Sequence, residues 1–390
     1  MTTRRTVLAA GAAGAVAAAA GPAIGSTPAL AADTAGPGVP RTWANRLRPL
    51  GGGIRTTRTR VPVSHLAISW YGPGRPGFRT RTGAGWTEWR PVPARCDGAD
   101  RPAQGRRSAL LTVPGTVGYE IECSGGASAL AVTELNTVGT AGAGRSATSP
   151  RVGASAPVGS VRGGWGPAIE PVLRIDNHFA KVRYLSRAAW GADESLRFGP
   201  GGVDLFPAEY YPLQTLTVHH TAGANNDPDP AATVRAIYYY DAVTQGWGDL
   251  GYHFLIDEAG TVYEGRWSGT DGTPAFGPRG ADGRLLMCNG AHVSGFNAGN
   301  IGVVLLGDFT SQLPTAAARQ SLVNLLAALA GAGRLDPTGV TDYVNPVSGA
   351  ARRVNTISGH RDWMATECPG NTFYPQLPPL RQDVQRRWAG

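Results

Sequence analysis

Two short stretches of this 390-residue chain concentrate residue types that bind metals: TVHHTAG at 217–223 and SGHRDWMATECPG at 358–370. Of seven histidines and four cysteines in the chain, these stretches hold His219, His220, His360 and Cys368. Two neutral imidazoles and a thiolate suit zinc better than magnesium or calcium, which take oxygen ligands. Three protein ligands with an open fourth position is the pattern of a catalytic zinc, whereas four ligands close the site. The donors are far apart in sequence and no C-x-x-C pair is present. On spacing alone a second reading stands beside the first, with His219 a hydrogen-bonded core histidine and Cys368 a disulfide partner.

The elements that must position these residues are legible. LQTLTVHHTAG is an apolar run that reads as a buried strand entering a loop, and NIGVVLLGDF is a second one. DPAATVRAIYYYDAV reads as a helix with Asp229 as N-cap and Pro230 at its first position. YHFLIDEAGTVYEGR reads as a hairpin turning at Glu258–Gly260. TAAARQSLVNLLAALAG places Leu322, Leu325, Leu326 and Leu329 on one helical face, opened by Thr315 and closed by Gly331. PQLPPLRQDVQRRW predicts a last short helix. Residues 181–390 are therefore expected to form an α/β domain, a mixed central β-sheet flanked by helices.

The rest of the chain differs in kind. Residues 41–138 contain HLAISWYG, GFRTRTG, WTEWRPV, SALLTVPG, GYEIECSG and ALAVTELN, short alternating runs between Gly/Pro turns, which predicts a small all-β, sandwich-like domain. Trp86 and Trp89 read as core or edge aromatics, with sugar stacking the alternative. His65, the only histidine there, reads as structural, and an oxidising compartment would allow a Cys96–Cys123 bridge, although four cysteines allow three pairings and the sequence does not choose among them. Residues 139–180 are rich in Gly, Ala, Ser and Pro and read as a flexible linker. Residues 1–32 read as an export leader: Arg4-Arg5, then a weakly apolar Ala/Gly run, then Ala29-Leu30-Ala31 ahead of a cut near Ala31–Ala32. The arginine pair resembles a twin-arginine signal, although the usual aromatic after it is missing and an ordinary secretory route stays open. A secreted or wall-associated protein, monomeric by default and with no membrane span after cleavage, is the expectation. Net charge is +8, and Lys181 is the only lysine. Residues 41–138 carry 14 Arg against 6 acids. That excess is either a solvated surface or a means of adhering to an anionic wall polymer. No nucleic-acid motif appears.

Five stretches in order, LSRAAWGADES, TVHHTAG, GWGDLGYHFLIDEAGTVYEGR, GAHVSGFNAGNIGVVLLGDF and SGHRDWMATECPG, resemble the peptidoglycan recognition protein family, the type 2 N-acetylmuramoyl-L-alanine amidases. The likeness covers residues from about 183 to 385. It implies a zinc-dependent amidase that cuts between N-acetylmuramic acid and L-alanine of peptidoglycan stem peptides. His219, His360 and Cys368 match the metal ligands. Tyr252 matches a catalytic tyrosine, and Thr366 falls where relatives carry Thr or Lys beside the metal. His253, His292 and Asn297 match positions lining the substrate groove; the other readings are a core histidine, or one holding another ligand, for His253 and a loop-ordering pair for His292 and Asn297. Non-catalytic members commonly lack the cysteine, which this chain keeps. A receptor that binds muropeptides uncut and a peptidase acting within the stem peptide are the rival readings. In a regular strand Tyr252 and His253 would face opposite ways, so both serve one groove only where the strand begins irregularly, at Gly251. His220 and Asp362 are expected to hold ligands in place or cap the loop, and Cys288 is assigned no role.

Overall fold

The computed structural model describes residues 42–46, 53–93, 106–123, 125–138, 172–175, 178–270 and 273–389. The expected leader, Cys96 with the bridge open to it, and the expected linker up to residue 171 lie outside them.

Seven strands make up the N-terminal region: β1 (Trp43–Arg46), β2 (Gly53–Tyr71), β3 (Gly77–Thr82), β4 (Gly85–Trp86), β5 (Arg90–Pro91), β6 (Arg106–Cys123) and β7 (Ser128–Asn136). They form one antiparallel sheet in the order β1-β7-β2-β6-β3-β4, with β5 on β3. The register of the long β2/β6 pair shifts between Arg58 and His65, and such irregularities bend a ribbon. On one side of the bend β6 carries β3, and on the other β2 carries β7. Trp70 and Ala109 from one half share an apolar cluster with Tyr119 and Ile121 from the other. The expected sandwich-like body is thus built from a single continuous sheet folded over its own core. Trp86 and Trp89 sit at its edge, and the Arg79 guanidinium lies 5.0 and 5.1 Å from their ring centres.

The chain then forms a hairpin, β8 (Val172–Ile175) with β9 (His178–Arg183). The linker expected to run to residue 180 therefore ends earlier. VLRI and HFAKVR carry strand-forming apolar residues that the Gly/Ala/Ser stretch before them lacks.

The C-terminal region comprises α1 (Arg187–Trp190), β10 (Tyr210–Pro212), β11 (Thr215–His220), α2 (Pro230–Tyr239), β12 (Phe254–Ile256), β13 (Val262–Glu264), β14 (Phe276–Arg279), β15 (Leu285–Cys288), β16 (Asn300–Leu305), α3 (Ala316–Gly333), β17 (Val340–Val344), β18 (Ala351–Asn355), β19 (Ile357–Gly359) and α4 (Leu377–Ala389). Its central sheet runs β13-β12-β16-β11-β19. The β12–β16, β16–β11 and β11–β19 pairs are parallel, and β13 is antiparallel to β12. Leu216, Val218, Ile301, Val303 and Leu305 pack on one face against Leu322, Leu325, Leu326 and Leu329 of α3 and Leu380 of α4. Leu255 and Val304 face the other way, against Val234, Ile237 and Tyr238 of α2. Both faces are covered, so every residue of β11, β12, β16 and β19 is buried. Asp229 caps α2 by accepting the Ala232 N–H at 3.0 Å. Thr315 caps α3 as expected, but that helix passes Gly331 and stops at Arg334, whose φ of 52° is left-handed. Arg334 there donates its N–H back to Ala330 and Gly331, so the reversal satisfies the last carbonyls.

The N-terminal sheet packs directly on α2. Thr137 Oγ1 donates to the Ala232 carbonyl (2.8 Å), Arg235 Nε donates to the Thr137 carbonyl (2.8 Å), and Tyr240 bonds Ser108. His65 bridges the two regions, with Nδ1 3.0 Å from Ser64 Oγ and Nε2 2.9 Å from Thr233 Oγ1. Burial, helped by the nearby Arg235 charge, pushes its pKa from 6.5 down to about 3. The folded protein therefore keeps His65 neutral while the unfolded chain protonates it. That contribution to stability is full above about pH 6.5 and is lost as the pH falls toward about 3. Urea midpoints measured across this window should fall more steeply for the wild type than for His65→Gln. Equal slopes would contradict a neutral, buried His65.

Candidate metal centre

The parallel pairing of β11 and β19 sets the site. Leu216 faces Ile357, Thr217 faces Ser358 and Val218 faces Gly359. The next residues along each chain, His219 and His360, fall side by side beyond the carboxyl ends of that pairing. Their ring centres are 4.6 Å apart. A 3-10 turn over His360–Asp362 then leads round to Cys368. Asp362 caps that turn by accepting the Gly359 N–H at 2.8 Å, and it also accepts the Tyr374 hydroxyl. It orders the loop rather than the His360 ring. Gly359 is required by close approach: a Cβ there would lie 2.9 Å from Pro369 and 3.0 Å from Tyr374.

His219, His360 and Cys368 are fully buried, and their ligand atoms lie within 4.8 Å of one another. His219 Nδ1 is 3.7 Å from the Cys368 sulfur. Zinc bonds of about 2.3 Å to sulfur and about 2.0 Å to nitrogen, at a tetrahedral angle, put those two atoms about 3.5 Å apart. The donor set therefore fits zinc in chemistry, and the His219–Cys368 pair fits it in spacing. The Cys368 sulfur also accepts the His220 N–H at 3.3 Å, which favours the thiolate. His220 itself turns to the opposite side, where its Nδ1 accepts the Phe309 N–H at 3.2 Å. Burial first, and then the neighbouring histidines, hold His219 well below its ordinary pKa, in the neutral form that a metal needs.

Tyr252 packs against the site with its ring centre 5.2 Å from that of His219. It and His253 lie just before β12 begins at Phe254, so strand alternation does not separate them. Thr366 is half-buried at the loop edge, and its Oγ1 accepts the Cys368 N–H at 3.2 Å.

The residues expected in a substrate groove are placed differently. His253 is fully buried, with Nε2 donating to the Cys288 carbonyl (2.7 Å) and Nδ1 accepting the Gly302 N–H (3.0 Å). Asn297 is 2% exposed, and its Oδ1 accepts the N–H groups of His292 and Val293, both at 2.8 Å. His292 is 1% exposed and bonds His219 Nε2 at 3.1 Å and the Asn300 carbonyl at 2.9 Å. All three are buried, as the metal ligands are. Cys288 is buried as well, which pushes its thiol up to about 11 and leaves it inert.

One supporting cluster escaped the sequence reading. Asp249, fully buried, accepts Arg187 Nη1 (3.0 Å), Arg266 Nη1 (2.7 Å) and the Trp267 N–H (3.0 Å). Arg266 also donates its backbone N–H to the Tyr252 carbonyl at 2.8 Å, which ties the cluster to the Tyr252 loop. The only trace of it in the sequence is a pair of charges set among apolar words, Asp249 in GWGDLGYHF and Arg266 after TVYEG. Burial raises the Asp249 pKa, but the two guanidiniums outweigh it and hold the carboxyl below its usual value.

Fold and site together define a class: an α/β domain that gathers two histidines and a cysteine at the carboxyl ends of adjacent parallel strands. The profile described as N-acetylmuramoyl-L-alanine amidase matches residues 209–371. Human N-acetylmuramoyl-L-alanine amidase is 33% identical over 172 residues, covering 43% of this chain and 24% of that protein. Peptidoglycan recognition protein 1 of Bos taurus is 31% identical over 165 residues, covering 42% of this chain and 70% of that protein. The wild-type Drosophila PGRP-LB structure is 27% identical with a TM-score of 0.36, covering 50% of this chain and 92% of that one. The chain belongs to the peptidoglycan recognition protein and type 2 N-acetylmuramoyl-L-alanine amidase family. It spans about a quarter of the length of the human and pig amidases that it matches, 24% and 28%.

Asp249→Asn removes the charge that balances two buried guanidiniums. It should cost about 3–5 kcal/mol of stability, read from urea unfolding. A loss below about 1 kcal/mol would mean that the cluster is hydrated and does not brace the Tyr252 loop.

Proposed function

We propose that this chain is an exported, zinc-dependent N-acetylmuramoyl-L-alanine amidase. Its reaction is hydrolysis of the amide that joins the lactyl group of N-acetylmuramic acid to L-alanine of peptidoglycan stem peptides. The observation that carries this reading is the convergence of His219, His360 and Cys368, three buried donors of zinc-binding type within 4.8 Å. The retained cysteine favours hydrolysis over recognition alone. When bound, zinc supplies a Lewis acid for the amide carbonyl and a water acidic enough to attack it near neutral pH.

The protein's own groups do the remaining work. Cys368 and the two imidazoles hold the donor set, and the His220 N–H bonds the sulfur. Tyr252 stands against His219 and is the residue that orients the attacking water or donates to the oxyanion as the carbonyl becomes tetrahedral. Thr366, held two residues from the sulfur, is proposed to hydrogen-bond the same oxygen. Export rests on the arginine-led leader, and the Arg excess of residues 41–138 is proposed to hold the enzyme on an anionic wall polymer.

The test is digestion of purified peptidoglycan by the full mature chain, with mass spectrometry of the new termini. Free N-terminal alanine, lost with a zinc chelator and restored by zinc, is the expected result. Cys368→Ser should abolish both zinc retention and activity, whereas Tyr252→Phe should lower kcat by about 10²–10³-fold with zinc retained. Wall binding without a new amine would make the protein a receptor, and a terminus further along the stem would make it a peptidase. Sedimenting the Cys368→Ser protein with walls over a salt series tests the polymer contact, which should weaken as salt rises; salt-independent binding would refute it.

A further inference from the structure

We propose that His292 is a positioning residue that selects, through one hydrogen-bond chain, which nitrogen of His219 is offered to the metal. The inference rests on the zinc reading above and replaces the groove-lining role expected for His292.

The Asn300 carbonyl oxygen can only accept, and His292 Nε2 lies 2.9 Å from it. Nε2 must therefore carry the proton. A neutral imidazole has one N–H, so Nδ1 of His292 is left as an acceptor. Nδ1 faces His219 Nε2 at 3.1 Å, so that nitrogen must donate. The remaining nitrogen of His219, Nδ1, then keeps its lone pair, and it is the one that faces the Cys368 sulfur at 3.7 Å. The tautomer of the ligand is thus set by a backbone carbonyl two residues-worth of side chain away, before any metal arrives. Metal-bound histidines commonly use their second nitrogen in this way, and loss of the partner typically costs about 10–100-fold in metal affinity.

A second observation supports the same role independently. The His292 ring lies on bare backbone: a Cβ on Gly302 would meet its Cγ at 2.5 Å and its Nδ1 at 2.6 Å. Gly302 lies opposite Thr217 in the β16–β11 ladder. The absence of a side chain there is what lets the ring reach His219. Its other supports are also engaged. Asn297 Oδ1 holds the His292 backbone N–H, and Asn300 is itself held by Thr217 Oγ1 (2.9 Å, donating to Oδ1) and by the Phe296 carbonyl (3.1 Å, accepting from Nδ2). Turning the ring toward a ligand groove would break both of its hydrogen bonds.

Two variants that remove no metal ligand test this, His292→Ala and Gly302→Ala, in the full mature chain. Zinc Kd would be measured by chelator competition, with circular dichroism and urea midpoints checking the fold. Long-range 1H–15N spectra of the histidine-labelled, metal-free wild type would read the tautomers. The expected spectrum shows His219 and His292 both protonated at Nε2. The expected Kd is raised about 10–100-fold in each variant, with partial recovery in His292→Asn, whose Oδ1 stands near the place of Nδ1 as an acceptor. A His219 protonated on Nδ1, or a zinc Kd within twofold of wild type in both alanine variants, would overturn the proposal. A raised KM at unchanged zinc Kd would return His292 to the substrate groove. A wild type that binds no zinc would sink the metal reading itself, while the tautomer spectrum would still judge the hydrogen-bond chain.

Discussion

The structure depends on one register. Val218 of β11 lies opposite Gly359 of β19 in a parallel ladder, and this alone makes two histidines far apart in the chain neighbours. Side chains alternate along a strand, so a slip of one residue would send His219 to the α3 face and leave His360 without its partner. The apolar pattern guards against that slip. Leu216 and Val218 are buried with Leu322 and Leu325, so shifting β11 would place His219 among leucines and expose the core face to the histidine cluster. The packing that stabilises the fold and the geometry that builds the metal centre are enforced by the same alternation.

Having collected polar groups in its buried interior, the fold must satisfy them. Backbone groups supply much of the answer. Carbonyls of Cys288 and Asn300 take protons from His253 and His292, and N–H groups of Gly302, Phe309 and His220 bond to His253, His220 and Cys368. Those to the imidazoles fix a tautomer as well as removing a desolvation cost. Charge is kept one layer further out, where Asp249 binds Arg187 and Arg266 under the Tyr252 loop. The arrangement separates two tasks: neutral imidazoles and a sulfur at the centre, and a balanced ionic brace behind the element that carries the tyrosine.

Local structure was readable wherever a local cause exists. Asp229, Pro230 and Thr315 cap helices as their types and spacing indicate, and the leucine stripe of α3 faces the core. The metal donors were readable as types, and the resemblance of their surrounding words singled them out. What escaped has non-local causes. His253, His292 and Asn297 match groove positions by resemblance, with a core histidine and a loop-ordering pair as the other readings; their partners are largely backbone groups supplied by a loop and a neighbouring strand, which no side-chain pattern records. Gly302 sits unmarked in the apolar run from Ile301 to Leu306, and its meaning appears only once His292 lies on it. The α3 terminus was misplaced because Arg334, not a glycine, adopts the left-handed cap. The docking of the N-terminal sheet on α2 turns on His65 meeting Thr233 across 168 positions; His65 reads as structural in the sequence, but its partner does not.

The central claim is that two distant segments converge to ligate a single zinc. X-ray absorption at the zinc edge of the full mature protein, loaded with one equivalent, tests it most directly. The account predicts one sulfur at about 2.3 Å and about three nitrogen or oxygen neighbours at about 2.0 Å, with the sulfur shell lost in Cys368→Ser. A shell of light atoms only, unchanged by that substitution, would contradict it.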